Sequence, residues 1–173
     1  MKKIWLILAL FIVVANGCKV SEPEPSPEYM KKVQLVVKEY NAAIVQANNN
    51  DPAGFLKLYK IARDDDIYTA EYSDVATETL HYLLYSKTDL WIKTFSKVDD
   101  LDSFKAYLKV SGMWVTELPK GVASDEQFAE EIFSKLKKIK GDEKEMELVD
   151  YILGLYNRKR PSPAADIFNK KPR

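Results

Sequence analysis

Residues 72–108 read YSDVATETLHYLLYSKTDLWIKTFSKVDDLDSFKAYL. Apolar side chains recur there every three or four positions, in three successive stripes. Tyr72, Val75, Ala76, Thr79, Leu80, Leu83 and Leu84 make the first; Leu90, Trp91, Phe95 and Val98 the second; Leu101, Phe104 and Leu108 the third. That spacing places each set on one side of a helix, and no run alternates in the two-residue period of a strand. Asp99, Asp100 and Asp102 stand where the third stripe begins. Acidic groups suit a helix N-terminus, whose unpaired amides carry partial positive charge. Gly112 closes that helix.

The pattern continues on both sides. Val33, Val36, Val37, Tyr40 and Ile44 form a stripe that ends near Asn48-Asn49-Asn50. Asp51-Pro52 is an N-cap followed by proline at the first helical position, and Phe55, Leu58, Tyr59 and Ala62 follow. Residues 113–123 lose periodicity and hold Pro119 and Gly121, so a loop is expected there, with Trp114 folded onto the core. Ser124-Asp125-Glu126-Gln127 fits a capping box before Phe128, Ile132, Leu136 and Ile139. Gly141 breaks the chain, and Met146, Val149, Leu153 and Tyr156 make the last stripe. The sequence thus predicts an all-α body over residues 28–160, with about seven short helices in antiparallel pairs. These pack as an α-α superhelix or as an irregular bundle, and the run of hairpins favours the stack. Phe55 to Leu108 faintly resembles HEAT-like or tetratricopeptide-like helical proteins, although no fixed period runs through it.

Before the body lies an address. Lys2 and Lys3 precede an unbroken apolar run of twelve residues, Ile4 to Ala15, and the small residues Ala15 and Gly17 lead to Cys18. This is the layout of a secretory signal peptide, residues 1–17. Twelve residues of helix rise ~18 Å, too short for a ~30 Å hydrocarbon core. Val14-Ala15-Asn16-Gly17-Cys18 resembles the lipobox of bacterial lipoproteins. In that family signal peptidase II cuts before a lipid-modified cysteine, whose new amino terminus is acylated as well, commonly with palmitate. Asn16 departs from the pattern. The resemblance implies a mature chain held by lipid on Cys18 at a bacterial membrane, outside the cytoplasm. Lys19, in place of aspartate, implies the periplasmic face of the outer membrane in a Gram-negative cell. Residues 18–27 carry that cysteine and a Pro/Glu linker, KVSEPEPSP, which favours an extended, solvated tether.

Composition excludes several functions. With one cysteine and one histidine there is no internal disulfide, no tetracysteine zinc site and no paired-histidine metal site. No glycine-rich phosphate loop occurs. Residues 18–157 hold 18 basic and 25 acidic groups, net −7, which does not suit a nucleic-acid backbone. Residues 158–173 hold six basic groups and one acidic, net +5, with Pro161 and Pro163 stopping the last helix. Residues 161–173 therefore read as a basic mobile tail. No metal, nucleic acid or cofactor is expected beyond the covalent lipid on Cys18.

What remains is a partner surface. Asp64, Asp65 and Asp66 form a tight acidic cluster whose spacing does not match a calcium loop, and Tyr68, Tyr82 and Tyr85 lie near it in sequence. The cluster reads either as a solvated turn or as an acidic face with aromatic anchors for a basic protein. Tyr72 fits the core face, while Tyr82 and Tyr85 point elsewhere, and the tyrosines between 59 and 85 read either as packing between neighbouring helices or as a binding groove. His81 shares a face with Asp74, Glu78 and Tyr85, but no nucleophile stands in a recognisable motif, and it reads as a partly exposed helix histidine. The expectation is a non-catalytic protein-binding module near the envelope. Its versions are an immunity protein that neutralises a periplasm-acting toxin, or an assembly or pilot lipoprotein of an envelope machine. A cell-wall or lipid-active enzyme would need Glu71, Asp74 and Glu78 as its acids.

Overall fold

The computed structural model describes residues 26–64, 70–112 and 115–159, with side chains through Leu155. The expectations for Cys18, Asp65, Asp66, Tyr68, Trp114, the leader, most of the linker and the tail lie outside these residues. The described residues form seven α-helices and no strand: α1 Pro27–Asn48, α2 Pro52–Ala62, α3 Ala70–Ser86, α4 Thr88–Phe95, α5 Leu101–Ser111, α6 Asp125–Leu136 and α7 Glu143–Lys159. The protein is all-α.

Local chemistry starts most of these helices. Ser26 Oγ accepts from the Tyr29 amide at 3.1 Å with Pro27 in the first turn, so α1 begins at the residue assigned above to the end of the linker. Asp51 Oδ1 accepts from Ala53 N at 2.9 Å and starts α2. Asp100 Oδ1 accepts from Ser103 N at 2.9 Å, Ser124 Oγ from Gln127 N at 3.2 Å, and Asp142 Oδ1 from Glu145 N at 3.0 Å. Each bond satisfies an amide that the helix itself leaves without a carbonyl. Gln127 completes the capping box one residue early, accepting from Ala123 N at 2.8 Å. Gly112 leaves α5 at φ 69°, a left-handed conformation that suits glycine.

Packing then proceeds hairpin by hairpin. α1 and α2 meet where Ala43 and Ala47, both fully buried, face Gly54. A methyl group at Gly54 would stand 2.5 Å from the Ala43 carbonyl oxygen, so the two backbones touch. α2 packs on α3, where Ser73 Oγ donates to the Ala62 carbonyl at 2.7 Å. The short α4 contacts α2, α3, α6 and α7, which closes the second half of the chain around it. Its Trp91 and Phe95 are buried and meet Phe104 of α5, and the Phe95 and Phe104 rings stack at 4.3 Å. Trp91 Nε1 donates to the Leu80 carbonyl at 3.1 Å, so the indole is buried with its polar atom satisfied.

Three positions depart from the sequence reading. His81 is 1% exposed, not partly exposed, because its side of α3 lies with Leu80 and Leu84 against the core. Val75, assigned to the core stripe, is 43% exposed. In α7 the buried face is Leu148, Val149 and Ile152, with Met146 and Leu153 at its margins. Glu147, Asp150 and Gly154 share the opposite side, so the inward face centres on Ile152 rather than on the stripe through Met146 and Leu153.

Candidate functional site

The acidic cluster begins at Asp64, just past the end of α2, where its exposed side chain lines a groove between α1 and α2. A separate cleft lies between α2, α3 and α5. The cleft holds about 610 Å³. Arg63 and Asp74 supply its charges, and Ser73, Thr77, Ser103 and Tyr107 line it with hydroxyls. Helix periodicity explains the set: Ser73, Asp74 and Thr77 share one side of α3, and Ser103 and Tyr107 one side of α5.

Most of these groups are already engaged in holding the helices together. Ser73 donates to the end of α2, as above. Tyr107 Oη donates to Thr77 Oγ1 at 3.0 Å. Burial pushes the Tyr107 phenol up to about 12. It therefore stays a neutral donor throughout the physiological range and is no base. Ser103 Oγ donates to Asp100, and both the hydroxyl and the amide of Ser103 hold that carboxyl below its ordinary value. Arg63 Nη1 donates to Tyr59 Oη at 3.2 Å. What remains presented to solvent is Asp74, with the exposed Arg63 in the same lining. The Asp74 carboxylate can take a cationic group.

The acids singled out for an enzyme stand in different surroundings. Glu71 and Asp74 are exposed, whereas Glu78 accepts from the amide of Thr116 and, at 3.1 Å, from its hydroxyl. Glu78 thus ties the loop after α5 to α3. In that loop Val115, 8% exposed, packs into the core. Among the described residues no group of three or more His, Cys, Asp or Glu side chains could hold a metal ion, and no helix is long and apolar enough to cross a membrane.

Tyr82 and Tyr85 lie near the opposite end of α3 from Asp64. Ser73, which touches the end of α2, and Tyr82 are nine residues apart, ~13 Å along the helix axis. The predicted patch is therefore divided. Tyr82 is 45% exposed. Tyr85 is turned onto α6, stacked on Phe128 at 5.0 Å, with its hydroxyl donating to Glu131 Oε2 at 2.7 Å. Lys135 Nζ sits 3.8 Å from the centre of the same ring and donates to the Tyr85 carbonyl at 2.6 Å. Tyr85 is thus a packing residue. The sequence allowed such packing but did not say which helix Tyr85 meets, because its partners lie some forty to fifty residues away. The cleft residues Arg63, Ser73, Thr77, Ser103 and Tyr107 were missed, since hydroxyls scattered over two helices carry no motif.

No family model matches the chain, and no curated protein or solved structure matches it either.

Proposed function

We propose that this protein is an extracytoplasmic lipoprotein, anchored through Cys18, whose helical body binds another protein without catalysis. The observation that carries the reading is the single cysteine placed directly after Lys2-Lys3, the twelve-residue apolar run and Gly17. Two acyl chains hold a protein stably at a membrane, whereas one binds only marginally. The binding role is supported by the engaged hydroxyls of the α2–α3–α5 cleft, which present no activated nucleophile, and by the exposed Asp74 at its edge. Asp74 would receive a basic group of the partner, with Tyr82 as a separate contact. The net charge of −7 over residues 18–157 favours the immunity version over an assembly role, because a toxin that acts on an anionic polymer carries a basic cleft.

Labelled palmitate should enter the wild-type protein in bacterial cells and fail to enter Cys18→Ala. Equal labelling of both would remove the anchor. Purified mature protein should retain one stoichiometric partner from envelope extract, and Asp74→Lys should weaken that capture. Capture unchanged by Asp74→Lys would take the partner away from this cleft.

A further inference from the structure

The charge and the exposed apolar side chains of the body are unevenly placed. Residues 27–64, which make α1 and α2, hold six basic and four acidic groups, net +2, whereas residues 70–159 hold 13 and 17, net −4. Four of the seven large apolar side chains exposed among the described residues are on α1 and α2: Met30 at 42%, Leu35 at 53%, Val45 at 58% and Leu56 at 42%. Between these helices runs a groove of about 870 Å³ with Leu35 and Val36 in its wall. Lys38, Lys57, Lys60 and Arg63 surround it, against two carboxylates, Glu39 and Asp64. All four cations are exposed.

We infer that the α1–α2 face is a membrane-docking surface, which lies on anionic lipid with Leu35 inserted among the headgroups and the cations around it. The geometry rests on the lipid-anchor reading. Cys18 and Ser26 are eight Cα–Cα steps apart, so the start of α1 lies within ~29 Å of the anchored cysteine whatever path the chain takes between them. α1 and α2 are then the helices delivered first to the bilayer. Lysines beside exposed aliphatic side chains match an interface of anionic headgroups over hydrocarbon. This placement would turn the acidic remainder of the body toward the aqueous side, where the partner arrives.

The test uses the chain from residue 18 onward with Cys18→Ser, so that no lipid contributes. It should sediment with vesicles of equimolar phosphatidylglycerol and phosphatidylcholine, less so as salt rises, and not with phosphatidylcholine alone. Lys57→Gln with Lys60→Gln should weaken the partitioning on the order of 30-fold. Leu35→Gln should weaken it separately, with helical circular dichroism unchanged. Three results would overturn the inference: no binding to the anionic vesicles, equal binding to the neutral ones, or binding that survives these substitutions. Loss through Lys170→Gln, Lys171→Gln and Arg173→Gln alone would place the contact in the tail and overturn it as well. Palmitate labelling is read independently. A chain that takes no palmitate yet binds anionic vesicles loses the anchor and keeps the surface; the reverse result keeps the anchor and loses the surface.

Discussion

Gly54 is where one missing side chain decides how two helices approach. A Cβ there would meet the Ala43 carbonyl oxygen and the Ala47 amide nitrogen, both backbone atoms that cannot swing aside. Gly54→Ala should therefore destabilise the fold, although alanine is the better helix former by ~1 kcal/mol. Overpacking against a fixed backbone costs about 1–3 kcal/mol or more, and the clash outweighs the propensity gain. A urea unfolding midpoint equal to or above that of the wild type would contradict this contact. Burial of Gly54 was not legible in the sequence, because a glycine inside a helical stripe reads only as a weak position. Its value lies in Ala43 and Ala47 opposite.

Between elements, the α3–α6 contact turns on Tyr85 and Glu131. The Tyr85 hydroxyl and the Gln127 amide donate to Glu131 and hold its carboxyl below its ordinary value. A carboxylate with a lowered pKa favours the folded state above its unfolded value, about 4.3, and loses that contribution as pH falls through the folded value. Tyr85 is shifted the other way, upward, because its neutral hydroxyl donates to Glu131 and ionising it would break that bond. Its share is present below the ordinary tyrosine value and lost as pH rises through the folded one. Tyr85→Phe should keep the stack on Phe128 but move the Glu131 titration, followed by carboxyl NMR, up toward the ordinary value. It should also shrink the difference in urea midpoint between neutral pH and pH below 4. A Glu131 titration unchanged in Tyr85→Phe would show that this hydrogen bond does not hold in solution.

At the scale of the whole molecule, α4 is eight residues long yet touches α2, α3, α6 and α7. Trp91 lies at that junction, buried against Phe95 and Phe104 with its indole nitrogen bonded to Leu80. Trp91→Ala should remove about 3–5 kcal/mol, a large part of the 5–15 kcal/mol typical of a domain. Because α4 joins both halves, the loss should appear as one shifted unfolding transition in far-UV circular dichroism. Two separated transitions would mean that the α1–α3 hairpins and the α5–α7 part unfold independently.

The sequence by itself determined the helices, most of their starts and the aromatic content of the core. Those properties are local: Asp51, Asp100 and Ser124 cap amides two or three residues away, and the period of 3.6 is written in adjacent turns. It also carries the leader and Cys18, on which the anchoring proposal rests. Only the tertiary structure decided the rest. It buried His81, set Tyr85 against α6, and turned the side of α7 with Leu148, Val149 and Ile152 inward. It also gathered Arg63, Asp74 and the hydroxyls of Ser73, Thr77, Ser103, Tyr107 and Ser111 into a cleft, and left the basic, apolar α1–α2 face uncovered. These depend on which helix lies opposite, and a partner some forty residues distant leaves no periodic trace in the chain.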